Sequence, residues 1–202
     1  GKMSMLTYYF KYVSHDEGLM TTYSLLGMIG AVVGAGLIGP WAYGKLKNKG
    51  RVQFWNNLIS CILCVVMYFF IAPSPVFFIL TLIIGFGNGV TGSINYSLVP
   101  DAIDYGELKT GVRCDGFIAS FVSTALKFGG AIGPALGGWA LGYFGFVANV
   151  EQTAGVQSML NFSVTIVPAI CCLLTMIAFM FYDLNDEKHV QIREELDRRR
   201  RS

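Results

Sequence analysis

Long apolar blocks separated by short charged stretches run along the whole chain. Five blocks are long enough to cross a bilayer, and they cover residues 19–44, 54–72, 76–99, 117–142 and 159–182. A hydrocarbon core about 30 Å thick needs about 20 apolar residues per helix, and the blocks lack the period-two alternation of barrel strands. The run from Met3 to Val13 is shorter, so we expect it to be the end of a further helix that begins upstream. The pattern predicts an all-α integral membrane protein with five full transmembrane helices and the end of a sixth.

Composition points to the same fold class. Hydrophobic residues make up 53% of the chain and charged residues 14%, whereas an average soluble domain has about 45–50% and about 25%. We therefore divide the chain into a transmembrane helix bundle over residues 1–182 and a charged cytoplasmic tail over residues 183–202. The lipid bilayer is the first partner that this composition implies, and no nucleic-acid partner is expected.

The distribution of Lys and Arg predicts the orientation in the membrane. The loop 45–53 holds four basic residues and no acid, and the tail after residue 182 holds six more. The stretches 14–18, 73–75 and 143–158 hold none. Because loops rich in Lys and Arg stay on the cytoplasmic side, we expect a multi-pass protein of the cell membrane, the inner membrane in bacteria, with a cytoplasmic C-terminus.

One charge interrupts the apolar blocks. Lys127 is the only charged residue inside the five full spans, and it lies about ten residues, or about 15 Å, into its block. A charge at that depth costs at least about 2.5–3.5 kcal/mol, and charged residues there usually serve function. The other full spans contain no carboxylate that could offset the charge. We interpret Lys127 as part of a substrate and coupling site; a lysine paired only for packing is the alternative.

Two polar stripes accompany this lysine at helical spacing. The first consists of Ser120, Ser123, Thr124 and Lys127, and the second of Asn88, Thr91 and Asn95. Residues three and four apart share a helix face, so the two stripes could line one cavity. Hydroxyl and amide groups suit a neutral, hydroxyl-rich ligand such as a sugar. Hydrogen bonding between helices is the alternative, and it carries equal weight for the second stripe.

A dense cluster of charges follows the third block. The loop 100–116 includes Asp101, Asp104, Glu107 and Arg113, and the acidic residues recur at three-residue steps, so that neighbours share a helical face. Opposite charges here could form a cytoplasmic gate that closes one side of a transporter. The alternatives are an ordinary solvated loop, or the site of a membrane enzyme or scaffold that does not transport, with the acidic residues as metal ligands.

Three stretches together resemble a known family. They are YYFKYV at 8–13, PDAIDYGELKTGVRCDGF at 100–117 and LKFGGAIGPALGGWALGYFGFVANVEQT at 126–153. In order and spacing they are similar to the glycoside–pentoside–hexuronide:cation symporters, which include melibiose permease. Melibiose permease carries an aromatic residue where this chain has Gly92, so the resemblance leans towards the pentoside or glucuronide carriers.

The resemblance implies the C-terminal half of a major facilitator transporter with twelve helices. It implies uptake of a sugar or glycoside by alternating access, coupled to Na⁺ or H⁺, with no enzymatic activity and no other cofactor. The coupling ion would be bound mainly by carboxylates of the N-terminal half, which would be a partner of this chain. Lys127 maps onto the family's intramembrane lysine, and the charges of the loop map onto its gate.

Overall fold

A computed structural model describes residues 2–70 and 74–181, together with Ile192, Glu194, Glu195 and Arg198. The predicted tail 183–202 otherwise lies outside the described residues. Within the described part, all regular secondary structure is helical. The helices are α1 (Lys2–Tyr12), α2 (Gly18–Val33), α3 (Gly39–Leu46), α4 (Lys49–Tyr68), α5 (Pro75–Thr110), α6 (Asp115–Tyr143) and α7 (Ala154–Met180).

Five of these elements are long and apolar enough to cross a membrane, which confirms the predicted fold class. The first of them is formed by α2 and α3 together, over Gly18–Leu46. A single π-helical turn, Gly34–Ile38, joins the two helices, and the N–H of Gly39 donates to the carbonyl of Gly34. Pro40 is the second residue of α3, directly after Gly39. Because proline has no N–H to donate, the usual helical hydrogen bond is missing there, and the wider turn accommodates the gap.

Close backbone approach holds α2 against α5. A Cβ atom added at Gly30 would lie 2.5 Å from the carbonyl oxygen of Leu82, and one added at Gly85 would lie 2.7 Å from that of Gly27. At Gly34 and Gly89, an added Cβ would overlap a backbone carbonyl of the facing helix. Only glycine allows backbones to approach this closely, as is common between membrane helices.

The apolar core lies at the end of the bundle where α1 terminates. Tyr9 and Phe10 of α1 and Phe77 of α5 are fully buried there, and the rings of Tyr9 and Phe77 stack with centroids 5.8 Å apart. The neighbouring helix α7 contributes Leu160 and Val164, which are also fully buried. These contacts join α1, α5 and α7 into one packed unit.

Helix α6 lies at the edge of this unit. In the most apolar segment of α6 no residue is buried, whereas half of the residues in the most apolar segment of α5 are buried. Leu141, close to its C-terminal end, is its one buried residue among those described. A long apolar helix exposed on nearly all sides presents a surface that the described part of the chain leaves uncovered.

The stretch 100–116 is mostly helical, although the sequence indicated a loop. Helix α5 continues through Pro100 to Thr110 and ends at Gly111, whose φ of 73° is left-handed. The N–H of Gly111 donates to the carbonyl of Glu107 over 2.8 Å, a common way to end a helix. The apolar block ends before Asp101, but helical backbone hydrogen bonds continue to the end of α5. The helix therefore extends beyond the apolar block.

Candidate functional site

Lys127 lies near the middle of α6 and is exposed. Among the residues that the structure describes, its ammonium group has no hydrogen-bond or ion-pair partner. The side chains of Ser123 and Thr124 are exposed and, within the same part of the chain, also unpartnered. Since residues three and four apart share a helix face, the three side chains present N–H and O–H donors on one side of α6.

The hydroxyl of Ser120 differs from the other two. Its Oγ donates to the carbonyl oxygen of Gly116, one turn earlier, over 2.6 Å. This common arrangement of a helical serine uses its single proton. Ser120 can therefore accept a hydrogen bond from a ligand, whereas Ser123 and Thr124 can also donate one.

The stripe on α5 faces a different neighbour. The Nδ2 of Asn56 on α4 donates to Thr91 Oγ1 over 2.8 Å and to the carbonyl of Gly87 over 2.9 Å. One turn away, Gln53 Nε2 donates to Asn95 Oδ1 over 3.4 Å. Two of the three stripe residues thus take part in hydrogen bonds between α4 and α5, the alternative that the sequence left open.

Asn88, the third member of the stripe on α5, is exposed. The structure therefore brings Thr91 and Asn95 to the α4–α5 contact and leaves the stripe of Lys127 on the open face of α6. A role in substrate binding for all seven polar residues stays a prediction.

The charged end of α5 is held to α4 by a half-buried ion pair. Lys49 Nζ pairs with Asp101 Oδ2, and it also donates to the carbonyl of Ser97 over 3.3 Å. The side chain of Lys49 is 19% exposed and that of Asp101 8%. A pair with so little exposure is screened less by solvent than an ordinary surface pair.

Arg113 gathers three carboxylates beyond the end of α5. Its Nη1 lies 2.8 Å from Glu107 Oε2 and 3.4 Å from Asp104 Oδ1, and its Nε lies 2.8 Å from Asp115 Oδ2. The hydrogen bonds to Asp115 and then to Glu107 raise the pKa of Arg113 above its ordinary value, so the guanidinium stays charged. We call Lys49, Asp101, Asp104, Glu107, Arg113 and Asp115 the charged cluster.

Sequence reasoning missed the part that α4 plays in this arrangement. Lys49, Gln53, Asn56 and Ser60 recur at steps of three and four residues, so they share one helix face, and that face meets α5. The spacing of these polar residues could have predicted a polar contact. It could not have identified Asp101 as the partner of Lys49, because the two are 52 residues apart.

The first and third motif stretches meet at the opposite end of the bundle. Lys11 Nζ donates to Asn149 Oδ1 over 3.1 Å, and the N–H of Asn149 donates to the hydroxyl oxygen of Tyr12 over 2.9 Å. The rings of Tyr8 and Tyr12 pack edge-on against Phe146, with centroids 5.2 and 5.3 Å away. These contacts fasten the end of α1 to the connection between α6 and α7.

Comparisons with known proteins agree with this architecture. Residues 2–186 match the family described as MFS/sugar transport protein. The glucuronide carrier protein homolog of Escherichia coli is 32% identical over 195 residues, which cover 96% of this chain and 42% of that protein.

Two further relatives align over similar shares. A putative sulfoquinovose importer of Escherichia coli is 29% identical, covering 98% of this chain and 42% of the relative, and the isoprimeverose transporter of Lactiplantibacillus pentosus is 28% identical, covering 94% and 42%. The chain thus spans less than half the length of these relatives. It belongs to the MFS/sugar transport protein family, which confirms the resemblance to the glycoside–pentoside–hexuronide symporters.

Proposed function

We propose that this chain supplies the C-terminal half of a cation-coupled sugar or glycoside symporter that works by alternating access. The observation that carries the proposal is Lys127, an ammonium group in the middle of a membrane-spanning helix, on a face that the described chain leaves open. Transporter sites lie near the bilayer midplane, between two halves of the protein. A charge at that depth needs compensation, and such a site provides it.

An N-terminal half would be the partner that covers α6. Its carboxylates would supply the counter-charge of Lys127 and would hold the coupling ion, Na⁺ or H⁺. A cation and the ammonium group of Lys127 then compete for the same negative charge. This competition gives a physical route to coupling, because binding of the ion releases the lysine.

The charged cluster would form the gate on the cytoplasmic side. Arg113 and Lys49 engage its carboxylates, so each of these acids already has a cationic partner within the protein. This pairing favours a gate over the enzyme that the acidic residues alone also allowed. The gate residues lie in the second motif stretch. Of the substrate residues in α6, Lys127 lies in the third stretch, and the three hydroxyl residues lie between the second and the third.

The name of one relative, a putative 2,3-dihydroxypropane-1-sulfonate exporter of Salmonella typhimurium, mentions no sugar, but the names of the three relatives compared above support a sugar substrate. They mention a glucuronide, sulfoquinovose and isoprimeverose. The first two carry an acidic group and the third is neutral, so the names leave the charge of this protein's substrate open. The distribution of basic residues supports placement in the cell membrane with the C-terminus in the cytoplasm.

The test is uptake by the full-length protein in proteoliposomes. Radiolabelled phenyl glycosides are offered with an inward gradient of Na⁺, of H⁺ or of neither. We expect accumulation above equilibrium with one of the two gradients, and its loss when an ionophore dissipates that gradient. Uptake that only equilibrates under every gradient would reject coupling, and chemical turnover of the glycoside without uptake would favour the enzyme.

A further inference from the structure

We propose that Lys45, Lys47 and Arg51, which we call the basic corner, bind the headgroup of an anionic phospholipid at the membrane surface. This inference goes beyond the proposed transport function and does not depend on it. The three side chains are exposed, and within the described residues none of them has a hydrogen-bond or ion-pair partner. The stretch 45–53 also contains no acidic residue that could neutralise them.

A tight connection brings the basic corner together where α3 meets α4. Helix α3 ends at Lys47, whose φ of 46° is left-handed and whose N–H donates to the carbonyl of Tyr43 over 2.7 Å. Asn48 then caps α4, because its Oδ1 accepts a hydrogen bond from the N–H of Arg51 over 3.0 Å. Since only two residues separate the helices, Lys45 in the last turn of α3 and Arg51 in the first turn of α4 lie at the same end of the bundle.

Two tryptophans place the basic corner at the level of the lipid headgroups. Trp41 lies one turn before Lys45 on α3, and Trp55 lies one turn after Arg51 on α4, so each ring shares a helix face with one cation. Both rings are exposed, and on α4 the same face continues into the apolar part of the helix with the exposed Ile59. Tryptophan is enriched at the boundary between lipid and water, so cations one turn further out lie at the depth of lipid phosphates.

The neighbouring Lys49 shows the contrast between a paired and an unpaired cation in this loop. Lys49 pairs with Asp101 and its side chain is 19% exposed. Lys45 instead lies against the exposed ring of Trp41, with its Nζ 5.3 Å from the ring centroid, an arrangement that the ring's electrons favour. One basic residue of the loop therefore serves the contact between α4 and α5, and the three of the basic corner remain for a ligand.

The surroundings of the basic corner favour an anionic phospholipid over a soluble anion. Basic residues next to a membrane span attract anionic lipids, with a gain in affinity of about fivefold for each Lys or Arg. A phospholipid also places its acyl chains against the exposed apolar face below Trp55 while its phosphate meets the cations. A phosphate from solution would make only the second of these contacts.

The experiment measures lipid preference at Trp41 by fluorescence quenching. In the full-length protein every other tryptophan is replaced by phenylalanine, and the protein is reconstituted into mixtures of phosphatidylethanolamine and phosphatidylglycerol. One of the two lipids carries brominated acyl chains, which quench tryptophan on contact. We expect brominated phosphatidylglycerol to quench at a membrane fraction about tenfold lower than brominated phosphatidylethanolamine does. High salt should reduce this preference, because exposed charges are screened.

Variants separate charge from general packing. Each of Lys45→Gln, Lys47→Gln and Arg51→Gln should reduce the preference by about twofold to fivefold, and the triple variant should abolish it. The variant Lys45→Arg/Lys47→Arg/Arg51→Lys keeps all three charges and should keep the preference. Lys109→Gln is the matched control and should change nothing. Lys109 is exposed and lies 6.0 Å from the ring centroid of Tyr105, but it is ten residues, or about 15 Å, beyond the apolar block 76–99.

The outcomes that would overturn this inference leave the transport function untouched, because uptake is measured separately. Equal quenching by the two brominated lipids when the basic corner is intact would show that it selects no anionic lipid. The same conclusion follows if the triple glutamine variant keeps the full preference. If soluble glycerol phosphate removes the preference when sodium chloride of equal ionic strength does not, the basic corner binds phosphate from solution and the assignment to a lipid is wrong.

Discussion

Two lysines of this chain experience opposite environments. Lys49 lies where α4 begins, and both Asp101 and the carbonyl of Ser97 accept hydrogen bonds from it. Lys127 lies in mid-span and has no such partner in the described residues. The first arrangement is that of a structural ion pair, and the second is that of an exposed ammonium group on the open face of α6. The contrast explains why only Lys127 is placed in the substrate site.

A first prediction concerns the pair of Lys49 and Asp101. Removing Lys49 takes the ammonium partner from a carboxylate that is only 8% exposed, so Lys49→Ala should destabilise the protein by about 1–3 kcal/mol. The double variant Lys49→Ala/Asp101→Ala should cost less than the sum of the two single variants, because both single variants lose the same ion pair. The measurement is the melting temperature of the full-length protein in detergent.

Lys45→Ala provides the control for this pair. Lys45 is exposed and its Nζ lies 5.3 Å from the centroid of the Trp41 ring, a contact worth about 0.5–1 kcal/mol at an exposed site. Lys45→Ala should therefore lower the melting temperature less than Lys49→Ala does. Strictly additive effects of Lys49→Ala and Asp101→Ala would show that the two side chains do not interact in the protein.

Part of the candidate site could be predicted from the sequence at this scale. The acidic residues at three-residue steps and Arg113 were visible in the sequence, and in the structure they form ion pairs. The pairing of Lys49 with Asp101 was not visible, because the two residues are 52 positions apart. A local pattern carries no information about contacts over such distances. The use of the Ser120 proton by Gly116 was also hidden, since all three hydroxyl residues share the same spacing pattern.

At the scale of elements, the five spans were predictable because the bilayer sets their length and apolarity. The residues at which these spans begin and end were harder to predict. The predicted block 76–99 became the helix Pro75–Thr110, because a helix ends where backbone hydrogen bonds end, at Gly111, and not where hydropathy falls. The π-helical turn at Gly34–Ile38 had no hydropathy signal, although Pro40 marked its position.

A second prediction tests the close approach of α2 and α5. Gly30→Ala should lower the melting temperature by several degrees, because its added Cβ would lie 2.5 Å from the carbonyl oxygen of Leu82. Forcing extra volume into such a contact typically costs about 1–3 kcal/mol. The distance involves backbone atoms, so no side-chain rotation can relieve it.

Gly27→Ala is the matched control for this contact. Gly27 lies one turn before Gly30 on the same helix, and a Cβ added there meets nothing within 4 Å. Alanine is also favoured over glycine within a helix by roughly 0.5–1 kcal/mol. We therefore expect an unchanged or slightly raised melting temperature. If Gly27→Ala is as damaging as Gly30→Ala, the two helices do not pack as described.

At the scale of the whole molecule, the fold class and the family followed from the sequence, but the packing of α6 did not. Its apolar length predicted a membrane helix, and the structure leaves almost all of it uncovered. The chain spans 42% of the length of the glucuronide carrier homolog, so contacts made with the remainder of such a protein cannot be read from these 202 residues. The proposed site around Lys127 is accordingly represented in this chain by one helix face only, that of α6.

The last prediction concerns orientation across the membrane. The basic residues of the 45–53 loop and of the tail predict that both segments, and with them the α5–α6 junction, lie in the cytoplasm. Cys114 lies at that junction, between Arg113 and Asp115, and is exposed. In a full-length variant that keeps only Cys114, a membrane-impermeant maleimide should label permeabilised cells and leave intact cells unlabelled. A variant that keeps only Cys171, within the span of α7, should resist the reagent in both preparations, because lipid shields the thiol from a reagent that cannot enter the membrane. Labelling of Cys114 in intact cells would reverse the orientation and place the charged cluster on the outer side of the membrane, where it could not form a cytoplasmic gate.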